Sequence, residues 1–195
     1  MPSDPTLLAF DTSAAHCAAA LLRDGKVTTR VEEMGKGQAE RLMPLLVEVL
    51  SEGGLGWADL DGIGVGVGPG NFTGIRISVA AARGLALGLG KPAIGVSTLE
   101  AQAHGVARPC RSVTDARRGM VYAQVFPGGV AEMVGADSLP DDLPLAGPLD
   151  GAALVTAIAE LAARRLDAPE PRPAPLYIRG ADAAPPSDPP PVILP

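Results

Sequence analysis

The sequence predicts an α/β domain whose sheet opens with three antiparallel strands and then continues through alternating helices and strands. Three observations predict it. Short apolar runs at 7–10, 17–22 and 27–33 are separated by tight turns, the last of them Asp24-Gly25. Apolar residues recur with helical spacing over 38–50. Glycines then alternate with β-branched residues from Gly62 to Gly68, the two-residue period of a strand.

Each element follows from its residues. Leu7 to Phe10 is a strand leaving the sheet at Asp11-Thr12-Ser13, and Cys17 to Leu22 and Val27 to Glu33 are its neighbours. A Rossmann domain would instead begin strand–helix–strand. Gln38 to Leu50 reads as a helix because Leu42, Leu45, Leu46, Val49 and Leu50 share one face. Pro44 inside it requires the helix to begin close before that residue or to kink there. In the strand 62–68, glycines 62, 64, 66 and 68 leave one face as bare backbone. Either a helix packs unusually close on that face, or the strand floors a cleft.

After Gly68-Pro69-Gly70, Asn71 is the N-cap of a helix from Phe72 to Leu89. Ala80, Gly84 and Gly88 form a small-residue stripe on it, and Lys91-Pro92 stops it. Pro92 to Val96 is a strand, and Ser97 with Glu100 forms a capping box for a helix ending near Gly105. The first 106 residues therefore read βββαβαβα. A briefer second part has a strand at 111–114, a turn at 115–119, a strand at 120–126, an irregular 140–148 and a helix at 152–165. From Pro169 onward the chain holds ten of its 20 prolines, so an extended or disordered tail is expected, with Leu176-Tyr177-Ile178 as an anchor. The expected division is a first lobe over 1–107, a reduced second lobe over 108–180 and a Pro-rich tail over 181–195.

Composition narrows the function. At 47% hydrophobic and 19% charged residues the chain can bury a core. With 3% aromatic residues it lacks the stacking platforms of a single-strand binder. The net charge is −6, and the nearest approach to a basic cluster is Arg108, Arg111, Arg117 and Arg118. RNA, if the protein serves it, is expected to be held by a partner. Cys17 and Cys110 form no disulfide framework, and Met1 to Thr6 has no signal-peptide pattern, which points to a reduced cytosol. The apolar stretch 75–90 carries Arg76 and Arg83 and is expected to be too short to span a membrane.

Chemistry-bearing candidates are few. Asp11-Thr12-Ser13 reads either as a phosphate- and metal-approaching turn or as side chains satisfying their own turn. Gly70, Asn71 and Thr73 sit where a glycine-rich turn enters a helix N-terminus, which suits an anion. The Lys-Ser/Thr of a P-loop is absent, and the following strand lacks an acidic ribose ligand. Asp11, Thr12, Gly70, Asn71 and Thr73 are thus candidates for a residual anion site. Arg76 and Arg83 share a helix face, as interface ion-pair partners or as a solvated edge. His16 and His104 are not paired one helical turn apart, so no metal, cofactor or catalytic residue is expected. Cys17 reads as a small buried hydrophobe.

The βββαβαβα order with a strand ending in Asp-Thr-Ser resembles the actin-like ATPase, or ribonuclease-H-like, fold. Four ordered motifs are more specific: Leu8-Ala-Phe-Asp-Thr-Ser13, Gly68-Pro-Gly-Asn-Phe-Thr-Gly-Ile-Arg76, Ile94-Gly-Val-Ser-Thr-Leu99 and Asp115-Ala-Arg-Arg-Gly-Met-Val-Tyr122. Together they resemble the TsaB (YeaZ) family, with Pro175-Leu-Tyr-Ile-Arg179 as a later family-like segment. The resemblance implies a non-catalytic dimerisation subunit, cytoplasmic and not membrane-bound. It would pair with the metal-bearing paralogue TsaD and work with TsaE in forming N6-threonylcarbamoyladenosine beside the tRNA anticodon. It would be a homodimer when alone and meet tRNA only through the complex. The family's first two helices form the subunit interface, and they map onto 38–52 and 72–89. The expected contacts are Leu42, Leu45, Leu46 and Val49 on one helix and Ile77, Ala81, Gly84 and Leu85 on the other. Gln38-Ala39-Glu40 stands where the family often has His-Ser/Thr-Glu. The alternative is a small nucleotide-binding kinase or ATPase of the same fold.

Overall fold

The computed structural model describes residues 4–168 and 171–178; the Pro-rich tail expected over 181–195 lies outside them. Strands β1 (Leu7–Asp11), β2 (His16–Arg23) and β3 (Lys26–Glu33) form the antiparallel meander. The β2–β3 turn is made by Asp24 and Gly25, both with positive φ, the backbone that Asp-Gly tolerates best. Helix α1 (Gln38–Glu52), strand β4 (Gly62–Gly66), helix α2 (Phe72–Leu89), strand β5 (Ala93–Val96) and helix α3 (Thr98–Ala103) follow. The sheet order is β3-β2-β1-β4-β5, with β4 and β5 parallel to β1. This is the actin-like, ribonuclease-H-like arrangement.

Pro44 does not set the start of α1, which begins at Gln38 and runs through the proline. Pro44 and Glu40 both face solvent, so the carbonyl left without its amide can be hydrated. Gly37, left-handed at φ 90°, precedes the helix and offers no side-chain cap. Arg41 ties α1 to β3 instead, with bonds of 2.6–2.7 Å to both Glu32 and Glu48. Those bonds hold both carboxyls below the usual glutamate range.

The second sheet has the order β8-β7-β6-β9, from β6 (Cys110–Arg117), β7 (Met120–Phe126), β8 (Glu132–Gly135) and β9 (Leu145–Ala146). Strand β6 outruns its expected end at Thr114, and the turn contracts to Arg118 and Gly119, both with positive φ. Strands β8 and β9 were not expected. They are four and two residues long, too short to show a period.

Helix α4 (Gly151–Ala163), which falls within the span 108–180, packs onto the first sheet. Its Leu154, Val155, Ile158 and Ala162 join Leu7, Ala9, Ala18 and Ala20 in one buried cluster, so it covers the first sheet. The bare face of β4 explains why. A Cβ at Gly64 would lie 3.1–3.2 Å from Ala162, Ala9 and Ile158 side-chain carbons, and one at Gly62 only 2.4 Å from Leu166. Of the two readings of the glycine strand, close helix packing holds at Gly64, while at Gly62 the turn just beyond α4 closes in.

On the other face, α1 and α2 bury Leu42, Leu45, Leu46, Val49, Ile75 and Val79 against Leu8, Phe10, Ile63 and Val65. At 18 residues and a mean hydropathy of 1.3, α2 is long and apolar enough by those measures to cross a membrane, contrary to the expectation from its length. In the fold its Ile75, Val79 and Ala82 are packed into this core.

Candidate functional site

The end of β1 is the most chemically unusual place in the molecule. Asp11 and Thr12 are fully buried and Ser13 and His16 nearly so. The β1–β2 turn brings His16 Nε2 to 3.0 Å from Asp11 Oδ1. The same oxygen accepts from the Ser13 amide at 2.8 Å and the Ser13 hydroxyl at 2.9 Å. Asp11 Oδ2, also buried, has no hydrogen-bond partner among the described residues. It lies over Gly66, where a Cβ would fall 1.9 Å from it. The third glycine of the bare strand thus makes room for a carboxylate rather than for a helix.

Burial opposes the charge on His16, but the hydrogen bond to Asp11, the charge of Asp11 and that of Glu33 outweigh it and raise its pKa above 6.5. Sequence reasoning missed this pair. The only signal was an acid and a histidine five residues apart across a tight turn, which becomes a contact once β1 and β2 pair.

The five anion-site candidates are gathered at one end of β1 and α2, but their polar groups are mostly committed to each other. Thr12 Oγ1 donates to the Gly74 carbonyl at 2.7 Å. The Asn71 amide donates to the Ser13 carbonyl at 2.6 Å. Asn71 Oδ1 accepts from the Thr73 and Gly74 amides at 3.1 and 3.0 Å, the amides an anion would need. At Gly70 a Cβ would sit 2.6 Å from the Ser13 carbonyl oxygen, so its bare backbone serves the crossing of two chain segments.

The interface candidates separate into two groups. Leu42, Leu45, Leu46 and Val49 are at most 4% exposed within the monomer. Within the monomer they are core residues, packed between α1 and the first sheet. The large apolar residues that α1 exposes are Met43 at 39% and Val47 at 49%. On α2, Gly84 is exposed and Ile77, Ala81 and Leu85 are half-buried, packed at the margin of the α1–α2 core. Sequence periodicity located the helices but could not place the edge of their buried arc.

Elsewhere, His104 Nε2 meets Glu160 at 2.6 Å, tying α3 to α4. Ser97 caps α3 by accepting from the Glu100 amide at 3.0 Å, but Glu100 pairs with Arg165 rather than closing the expected capping box. Among the described residues no three His, Cys, Asp or Glu side chains cluster as a metal site.

Comparison with known proteins gives this fold its relatives. Residues 32–137, more than half of the chain, match the family described as TsaD, tRNA N6-adenosine threonylcarbamoyltransferase. The tRNA threonylcarbamoyladenosine biosynthesis protein TsaB of Escherichia coli K12 is 39% identical over 121 residues, which cover 60% of this chain and 52% of that protein. The chain therefore spans about half the length of this curated relative. An uncharacterised protein of Mycobacterium tuberculosis H37Rv is 35% identical over 92% of this chain and 94% of its own length. A crystal structure from Pseudomonas aeruginosa, of an uncharacterised protein similar to peptidase YeaZ, superposes with a TM-score of 0.73. It is 27% identical and covers 90% of this chain and all of that one. With the motifs from Asp11 to Tyr122 set on this fold, the chain belongs to the TsaB (YeaZ) family.

Proposed function

We propose that this chain is a non-catalytic dimerisation subunit in cytoplasmic tRNA modification. It pairs through α1 and α2 with a TsaD-type catalytic paralogue and, with TsaE, serves the formation of N6-threonylcarbamoyladenosine at tRNA position 37. Alone it forms a homodimer through the same helices. The name of the Escherichia coli relative supports the pathway. The observation that carries the scaffold role is the exposed apolar flank of the helix pair. Met43 and Val47 project from α1 and α2 leaves Ile77, Ala81 and Leu85 half-buried at the margin of the same core, and apolar side chains left open on a helix pair suit a surface that another chain covers.

The test is the double substitution Met43→Glu, Val47→Glu. Both sites are already open to water, so the monomer keeps its thermal midpoint, whereas in an interface two unpaired charges cost several kcal/mol. The expected result is a folded monomer that no longer captures the paralogue, in a strain lacking the modified base. A variant that still dimerises and sustains modification would overturn the reading.

The second reading, a small actin-fold kinase or ATPase, is favoured by one observation: the buried, unpartnered Oδ2 of Asp11, an oxygen available to a cation or a proton. Calorimetry of the isolated chain with ATP and magnesium separates the two. Tight binding with turnover that Asp11→Asn abolishes would promote the kinase, and the scaffold predicts no turnover.

A further inference from the structure

We propose that the outer flank of α2, together with residues 172–177, is an edge that grips the RNA phosphodiester backbone, an inference that rests on the tRNA-modification reading above. Arg76, Arg83, Lys91 and Arg172 are scattered over the sequence, and the fold brings them to one side. Arg76 and Arg83 lie seven residues apart on α2, two turns and about 10 Å along the same face. Arg83, Lys91 and Arg172 all line one groove of about 590 Å³ between the C-terminal half of α2, the start of β5 and the chain beyond α4. Arg76 continues the line toward the N-terminus of α2, where its Nε donates to Tyr177 Oη at 2.7 Å.

None of the four cations forms an ion pair among the described residues. Arg30, Arg41, Arg111 and Arg165 by contrast all have carboxylate partners. In a chain of net charge −6 most of the surface repels a polyanion, so a line of uncompensated cations selects where one can approach. The line ends at Phe72 and Tyr177, 54% and 47% exposed, with ring centroids 5.3 Å apart and the Arg76 guanidinium 3.6 Å over Phe72. The two rings and the Tyr177 hydroxyl fix the Arg76 guanidinium at the end of the line, so a cation is held in place there for a phosphate. Arg76 and Arg83 lie on the opposite flank of α2 from Ile77, Ala81 and Leu85, so RNA and a protein partner can be held at once.

The experiment titrates a fluorescein-labelled tRNA anticodon stem–loop with the full chain, and with the chain bound to its paralogue, across a salt series. The triple substitution Arg83→Gln, Lys91→Gln, Arg172→Gln is expected to weaken binding at low salt by about tenfold or more. It should also reduce the slope of log affinity against log salt by about 2–3, since each lost phosphate contact removes roughly 0.7–0.9. Arg117→Gln, Arg118→Gln, on the β6–β7 turn, leaves both unchanged. An unaltered slope in the triple variant would overturn the proposal, as would no salt-dependent binding by the unsubstituted chain, or equal displacement of the RNA by poly-glutamate. Capture of the paralogue by the triple variant is measured in parallel. Loss of capture by the unsubstituted chain would break the scaffold reading while leaving the RNA titration to stand or fall alone.

Discussion

The two faces of the five-stranded sheet are closed by different means. On one face α4 presses into bare backbone, leaving Ala153 as its one exposed residue. On the other face α1 and α2 bury a row of leucines, valines and isoleucine, yet leave Met43 and Val47 at 39% and 49% exposure. The first face is finished within the monomer. The second keeps apolar surface in reserve, and that asymmetry is the physical content of the scaffold reading.

The largest expected effect is on the leucine-packed face. Leu45 is fully buried, so Leu45→Ala removes its burial and leaves a cavity, costing about 2–5 kcal/mol in a urea titration. A loss under 1 kcal/mol would mean that α1 is loosely held. Next comes Gly64→Val on the α4 face, where the first added carbon is already tight against three neighbours. Overpacking of about 3 kcal/mol is expected, and a neutral outcome would show that α4 can shift away from β4.

Smaller still is His16→Gln, which removes the ring beside Asp11 while leaving the two Ser13 donors. About 1.5 kcal/mol is expected at pH 6. Because the folded pKa of His16 is raised, the charged pair contributes fully below the unfolded value near 6.5 and is lost as pH rises through the folded value. The unsubstituted protein should therefore lose stability above pH 6.5, and the variant should show a flatter profile over that range. Identical profiles would remove the ion pair from the account. The smallest effect is at Cys17, buried beneath α1, where burial, helped by Glu32, raises the thiol to about 11. Peptide-resolved alkylation at pH 8 should leave it unmodified until the protein unfolds. Rapid labelling would show that the α1 face opens locally.

The strands and helices of the first lobe were legible because their signals are local. Asp24-Gly25 dictates its turn, Asn71 its cap, and the glycine alternation in β4 marks a strand with one bare face. The candidate site was less legible. Asp11 stands out in the sequence, but its coupling to His16 and the clearance above Gly66 exist only after β1 has paired with both β2 and β4.

What the sequence determined alone was the order of elements, the periodicity of each and the family motifs, all carried within windows of a few to some eighteen residues. Tertiary structure alone decided that α4 returns to the first sheet, that Leu42, Leu45, Leu46 and Val49 are core, and that Arg76, Arg83, Lys91 and Arg172 share an edge. A repeating pattern tells which face of an element is apolar, but not what will lie against it. Charges far apart along the chain become one surface only when the backbone has closed the distance between them.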